Sequence, residues 1–565
     1  MVRVILVFLC LKVIVLSPQR CYNKNTMVTI IFVIAALIFG LGYLRYGKFL
    51  ARFFELDNKN PAPSSSMYDG VDFVPSPAAV LFGHHFSSIA GAGPVLGPII
   101  AGLAFGWLPV WLWVVIGSIF IGGVHDFSSL VVSMRNRGRS IAEIANTYMS
   151  RRSYRLMLIF IWLTLVYVLT VFTDLTAVAF KADGGVAASS FLFIILAVGF
   201  GISLYRLKIP LAWATGIFVF LLLFCVWLGQ RIPFDNIPAL LGSSVKTWSI
   251  ALIIYCFIAS VTPVWMLLQP RDYLSSFLLY GSILGGFFGI LFGGYALKYP
   301  AFTGWASPDI GPMFPLLFVT VACGAISGFH SIVASGTSSK QIKKETHVLP
   351  IGYGAMLIEG LVAVIALATI MIIGKNDSLT KGAPLAIYGA GMAKFFSIFG
   401  IPEKYGNSFG ILALSTFILT TLDTATRLGR YIFQEFFNME HKSSRYIATA
   451  ATLCLPAMFV LINLKDASGN IVPAWKIIWP VFGATNQLLA GLALMVVGVW
   501  LKKKGKPIWF VVLPMIFMLA MTLWALFIVI LQYKFSLLGF IGGILLLLSV
   551  FLVLEAVKIF QMKIK

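Results

Sequence analysis

The chain has 565 residues, of which 59% are hydrophobic and 11% charged, with a formal net charge of +22 and a mean hydropathy of +0.95. Apolar runs of about 18 or more residues recur throughout, each long enough to cross a bilayer, so the chain reads as an all-α polytopic membrane protein and a soluble fold is excluded. The basic residues lie in short loops between those runs, where they set orientation rather than bind nucleic acid, and the six cysteines are scattered with no CxxC pair, giving neither a disulfide framework nor a zinc spacing.

Residues 1–26 read as a doubtful N-terminal extension. Val4–Leu16 is apolar but short and is interrupted by Lys12, which suits a signal-like segment better than a span. Met27 opens a clean apolar run and is the expected biological start. From there the spans fall at 27–45, 77–106, 108–134, 154–180, 186–204, 210–229, 249–268, 273–296, 309–336, 350–374, 407–426, 445–463, 477–501, 507–531 and 537–557. That is about fifteen membrane-length segments. Leu385–Phe399 is short and carries Lys394, so it reads as a re-entrant or surface helix. Residues 27–505 form the expected transporter core, and 506–565 add two C-terminal helices.

Charge decides the orientation. Arg45, Lys48, Arg135, Arg137, Arg151, Arg206, Lys340, Lys343, Arg430, Lys502 and Lys558 all fall on one set of alternate loops. The richer side is cytoplasmic, which places Met27 outside and the C-terminus inside.

Two of the spans are expected to be discontinuous. The first contains FGHHFSSIAGAGPVLGP, with His84, His85, Gly91, Gly93 and Pro94. Glycine costs a helix interior about 1 kcal/mol and proline about 3 relative to alanine, so the helix should break near Gly91–Pro94. The second, Asp309–Thr337, carries Gly324, Ser327, Gly328, His330, Ser335 and Gly336. His85 precedes Gly91 by the same six residues that separate His330 from Gly336. Broken helices at membrane depth are tolerated where protein or a wet cavity satisfies the backbone. The two segments cross in opposite directions, as inverted-repeat transporters require. Small residues also serve close helix packing, which is the structural alternative.

Ionisable groups inside spans each need a partner. Gly122, Asp126, Ser129 and Ser133 form one polar stripe, with His125 beside Asp126. His125, Asp126, Asp174 and Glu359 are the candidate proton or cation carriers. Thr416, Thr420, Asp423 and Arg427 share a helix face, and Asp423–Arg427 reads as an i,i+4 ion pair. That face suits a self-neutralising helix end, a gate, or a cation site built on Thr420 and Asp423. Arg271 and Asp272 read as a short cytoplasmic turn after a helix ended by Gln-Pro. Asp309 reads as a helix N-cap, and Asn486 with Gln487 as polar groups paired to another helix. His84 and His85 are adjacent, so on a helix they point about 100° apart and do not chelate one ion easily. No metal or other cofactor is expected.

The stretches FGHHFSSIAGAGPVLGP, GGVHDF, PVWMLLQPRDYLS, ASPDIGPMFPLLFVTVACGAISGFHSIVASGTSSKQI, TTLDTATRLGR and FGATNQLLA resemble the signature stretches of the carbon starvation protein A family, in family order. The resemblance implies a bacterial inner-membrane transporter, induced under carbon limitation, that takes up peptides or pyruvate, with proton coupling. It carries over motif positions and no residue roles. On the residues themselves, His84, His85, Gly91, Gly93, Ser327, His330, Ser335, Gly336 and Asn486 are the candidate substrate-binding positions, with a substrate carboxylate at the free N–H groups near Gly93. Arg271, Asp272, Asp309 and Arg427 are candidate gate or structural residues. A channel lacks a readable filter or charged ring, an enzyme lacks HExxH, GxSxG or a metal spacing, and a nutrient sensor lacks a signalling domain. The expected partners are a small-molecule substrate, a coupling cation and the lipid bilayer.

Overall fold

The computed structural model describes residues 26–69, 73–263, 266–439, 441, 443–464, 471–534 and 537–561. The expected extension at 1–26 lies outside them except for Thr26. Helices dominate, because a backbone in lipid must satisfy its own hydrogen bonds. Among the described residues the strands amount to one small hairpin, β1 (Ala306–Ser307) with β2 (Gly311–Pro312).

The helices follow the predicted order. They are α1 (Met27–Phe53), α2 (Ala78–Ile89), α3 (Gly93–Phe105), α4 (Trp107–Arg135), α5 (Arg151–Ala182), α6 (Gly184–Tyr205), α7 (Leu211–Gly229), α8 (Ser244–Val261) and α9 (Leu268–Phe292). After the hairpin come α10 (Met313–Thr320), α11 (Gly328–Gly336), α12 (Glu345–Met371), α13 (Pro384–Ser397), α14 (Glu403–Phe437), α15 (Ser444–Leu461), α16 (Ala474–Lys503), α17 (Trp509–Tyr533) and α18 (Leu537–Gln561).

Twelve of these helices are long and apolar enough to cross a membrane, and the bent pair α2–α3 makes a thirteenth. The count of about fifteen is not reached on that basis. The two segments that fall short are 309–336, split into the short helices α10 and α11, and 537–557, within α18. Leu385–Phe399 becomes α13, 14 residues long and at about 1.5 Å per residue too short to span. It is not a surface helix, however: most of its side chains are buried between α9, α12 and α14.

Burial sorts the helices into a core and a rim. The apolar stretch of α16 is wholly buried and that of α14 nearly so, whereas little of α7 is buried apart from the side that packs on α6. An apolar helix open over most of its surface belongs against lipid. The broken spans lie inside this core. α2 packs on α11 while α3 packs on α10, so the two spans run antiparallel with their breaks opposed.

The first break bends the chain by 44° between Ile89 and Gly93, with Pro94 in the first turn of the second half, where proline is tolerated. The second break covers residues 321–327 and precedes Gly336. His85 therefore lies before its break and His330 after its own. The shared six-residue spacing is not a structural equivalence, because Gly336 ends α11 rather than interrupting it.

The carbonyls released by the second break are taken up by side chains. Ser118 Oγ donates to Gly324 O at 3.0 Å, Trp113 Nε1 to Val321 O at 3.3 Å, and Gln487 Nε2 to Phe318 O. This is how irregular backbone survives at membrane depth.

Candidate functional site

The breaks meet at close range. A Cβ built on Gly93 would stand 2.3 Å from Cys323 Sγ, one on Gly97 2.6 Å from Thr320 O, and one on Gly324 3.6 Å from Pro94 Cα. Glycine is required at 93 and 97 because no side chain fits. Cys323 thus stoppers the start of α3, and the N–H groups expected to hold a carboxylate are covered in this conformation.

Asn486 of α16 braces the second break. Its Oδ1 accepts from Phe329 N at 3.0 Å and from Ser327 Oγ at 3.1 Å, and its Nδ2 reaches Cys323 Sγ at 3.3 Å. Ser327 precedes α11 but makes no side-chain cap; its hydroxyl is committed to Asn486. Ser335 Oγ donates to Ser331 O at 2.6 Å and accepts from Ile141 N at 3.1 Å, a packing role. Gly336 faces Leu428 and Gly91 faces Phe172 and Thr421.

Two buried polar clusters flank the breaks. The first joins α4, α11 and α12. Asp126 Oδ2 lies 2.7 Å from His330 Nδ1, and His330 Nε2 lies 3.2 Å from Glu359 Oε2. Asp126 Oδ1 also meets His125 Nδ1 at 2.7 Å. All four side chains are fully buried. Nδ1 of His330 is hydrogen-bonded to Asp126 while Nε2 stands beside Glu359 outside hydrogen-bond geometry, and an imidazole placed between two carboxylates is suited to pass or share a proton. The expected stripe on α4 is confirmed as a buried face, with Ser133 Oγ donating to Ser339 Oγ at 2.9 Å.

π-helical turns sit just before the acids of this cluster, at Ser118–Gly122 in α4 and Leu349–Gly354 in α12. Tyr353 OH in the second donates to Ile119 O in the first at 3.2 Å. Such turns recur at functional sites. Sequence reading missed both; the glycine pairs Gly122–Gly123 and Gly352–Gly354 are the trace they leave.

The second cluster joins α2, α8, α9 and α14. Arg271 Nη1 donates to Asp423 Oδ2 and, at 2.6 Å, to Tyr255 OH, while Tyr255 OH donates to Asp423 Oδ2 at 2.7 Å. His84 Nδ1 lies 3.4 Å from Asp272 Oδ2. Two expectations are corrected here. Arg271 and Asp272 are not an exposed turn: α9 begins at Leu268, Pro270 sits harmlessly in its first turn, and both side chains are fully buried. Val264, Trp265 and the Gln269 side chain of the same motif lie outside the description. Nor do Asp423 and Arg427 pair. Arg427 Nη2 instead donates to Ala259 O at 3.0 Å and Thr262 O at 2.8 Å, and Arg430 Nη1 to Ser260 O at 2.5 Å. The carbonyl end of α8 attracts both cations. Tyr255 was missed, since one tyrosine in an apolar run carries no signal.

The remaining candidates lie elsewhere. Asp174 Oδ2 accepts from Trp475 N at 2.8 Å, so it caps the start of α16. Thr416 and Thr420 hydroxyls donate to their own helix at Leu412 O and Thr416 O, which leaves their oxygen lone pairs as acceptors. Asp309 caps no helix: it lies exposed in the turn between β1 and β2, and α10 starts at Met313 after Pro312. His85 Nδ1 pairs with Ser338 Oγ at 2.7 Å, so adjacent histidines on α2 reach in different directions. Among the described residues no group of three or more His, Cys, Asp or Glu could hold a metal ion.

Residues 27–383 and 373–525 match the family described as "Carbon starvation protein CstA". The "Peptide transporter CstA" of Campylobacter jejuni is 32% identical over 89% of this chain and 80% of that protein. The protein of the same description in Escherichia coli is 30% identical over 89% and 81%, and the "Pyruvate/proton symporter BtsT" of Escherichia coli is 31% identical over 88% and 81%. Among solved structures, a manganese transporter mutant of Eremococcus coleocola aligns with 87% of this chain and 99% of its own at a TM-score of 0.43 and 16% identity. The matched residues of this chain take in both breaks and both polar clusters, and the chain belongs to the carbon starvation protein CstA family of transporters.

Proposed function

We propose that the chain is a proton-coupled secondary active importer of small carboxylate-bearing nutrients, peptides or pyruvate, and not an enzyme. Its setting is a bacterial inner membrane with the C-terminus in the cytoplasm. The observation that carries the coupling is the buried Asp126–His330–Glu359 chain, three titratable groups in contact at the seam of α4, α11 and α12. Names of relatives support the substrate class, peptide for one and pyruvate with protons for another. The antiparallel packing of the broken spans supports an inverted repeat, whose discontinuous helices meet at the substrate path. The contact of Gly93 with Cys323 speaks for a closed conformation rather than an open pore. Uptake of labelled pyruvate and labelled dialanine into proteoliposomes tests the reading. Accumulation should require an inward proton gradient. Accumulation of neither compound overturns import, and uptake indifferent to the gradient removes the coupling.

A further inference from the structure

The second cluster is incomplete as it stands. Arg271 is fully buried, yet Nε and Nη2 have no hydrogen-bond partner among the described residues; Nη1 alone is engaged, with Asp423 and Tyr255. Nε and Nη2 form one edge of the guanidinium fork, the edge that grips a carboxylate with two parallel bonds. A buried donor without an acceptor is a standing cost, and here two adjacent ones share an edge. Charge points the same way. Arg271, Arg427 and Arg430 outnumber Asp272 and Asp423 among the buried charges here by one; Asp272 Oδ1 and Oδ2 and Asp423 Oδ1 also lack a hydrogen-bond partner among the described residues, but none of them closes on the Nε–Nη2 edge. His84, which faces Asp272, is partly exposed at 16% while Arg271 and Asp272 are wholly buried, which marks α2 as the side of access. The start of α3, the rival anion site, is covered by Cys323.

We propose that the Nε–Nη2 edge of Arg271 receives the substrate's carboxylate, with Tyr255 and Asp423 holding the guanidinium in place from behind. This rests on the import reading for its ligand class, and it names the group that would recognise both peptides and pyruvate. Tyr255 and Asp423 are positioning residues, since they bond the guanidinium at Nη1 and make no hydrogen bond to the proposed edge.

The test compares acids with their amides. Purified chain in nanodiscs is titrated with pyruvate and pyruvamide, and with dialanine and alanyl-alaninamide, reading the thermal midpoint. The same preparations in proteoliposomes report proton-driven accumulation. The wild type should bind each acid roughly tenfold or more tighter than its amide, and Arg271→Lys and Arg271→Gln should abolish that preference while remaining monodisperse. An Arg271→Gln chain that keeps the preference overturns the proposal. If the Arg271 variants fail to fold, Asp423→Asn decides: asparagine keeps an oxygen to hold Nη1 in position but removes the competing negative charge, which should raise the acid preference about threefold or more, and an unchanged or smaller preference overturns the proposal. Proton-driven accumulation with an Arg271-independent preference sinks this inference and leaves import standing. Arg271-dependent binding without accumulation does the reverse. Binding of neither acid sinks both.

Discussion

Glu359→Gln isolates the coupling step. With His330 counted as an imidazolium between two ionised acids, the Asp126–His330–Glu359 chain carries one net negative charge, and one added proton neutralises it. An uncompensated charge moved through a low-dielectric interior costs several kcal/mol, so the neutral form is the one free to reorganise with the helices. The stoichiometry expected on this reading is one proton per cycle. A gradient of one pH unit is then worth about 1.4 kcal/mol, which for pyruvate carried electroneutrally sustains about tenfold accumulation. In Glu359→Gln the chain is already neutral and takes up no further proton. The substitution keeps the size of the side chain, and among the described residues the glutamate oxygens have His330 as their ionic neighbour and no hydrogen-bond partner. Accumulation should fall to about the external concentration, while exchange of labelled for unlabelled pyruvate across the same vesicles continues. The assay is one preparation under two conditions, gradient-driven uptake and counterflow. Tenfold accumulation surviving in Glu359→Gln would refute the argument, as would a wild type that accumulates about a hundredfold per pH unit, since that needs two protons.

Gly93→Ala should destabilise the purified chain by the ~1–3 kcal/mol of an overpacked core, read as a lowered thermal midpoint, because its Cβ meets Cys323 Sγ at 2.3 Å. Adding Cys323→Gly, which removes both Sγ and the Cβ that lies 2.4 Å away, should recover most of that loss, a coupling of about 1 kcal/mol or more in the double-mutant cycle. Gly328→Ala should be at least as damaging without comparable rescue, since its Cβ meets backbone, Asn486 O at 2.3 Å; a neutral result there would show that α11 and α16 can separate freely. Asn486→Ala should cost ~1–3 kcal/mol by leaving Phe329 N buried without its acceptor, read as a lowered midpoint. With the other five cysteines replaced by serine, alkylation of Cys323 by N-ethylmaleimide should be slow at rest and several-fold faster during turnover, because the breaks must part to pass substrate.

Much of the fold was legible because it follows from lipid. Runs long enough to cross a bilayer had to become helices, and the twelve membrane-length helices match predicted spans to within a few residues at most ends. The break at Gly91–Pro94 was legible because glycine and proline penalties are local. The second break was placed less well. Its glycines at 328 and 336 lie in α11 and at its end, and what holds residues 321–327 open is Ser118, Trp113 and Asn486 from other helices, which no local pattern reveals. Partnerships were the least legible of all. Asp423 and Arg427 have the spacing of an ion pair, yet a buried carboxylate takes the better-placed cation, and Arg271 arrives from another helix. The individual acids and histidines of the first cluster could be named from their cost in lipid. Their meeting could not, since Asp126, His330 and Glu359 come from three separate spans.

The adjacent histidines that looked least explicable in the sequence connect the two clusters. On a helix, consecutive side chains diverge by about 100°, so one residue step turns α2 from one neighbour to another. His84 reaches Asp272 in the Arg271 cluster at 3.4 Å. His85 reaches Ser338, just beyond α11, at 2.7 Å and lies within electrostatic reach of Asp126 and His330. A tilt of α2 therefore cannot leave both clusters unchanged: moving away from α9 parts His84 from Asp272, and moving away from α11 parts His85 from Ser338. Coupling between an anion at Arg271 and a proton on the Asp126–His330–Glu359 chain needs such a shared element, because linkage requires one body whose position both ligands bias. His85→Ala with His84 intact tests this. Carboxylate binding should persist, accumulation should weaken, and the ratio of gradient-driven uptake to exchange should fall. A variant whose uptake and exchange drop in equal proportion would show that α2 carries no coupling and that the clusters communicate by another route.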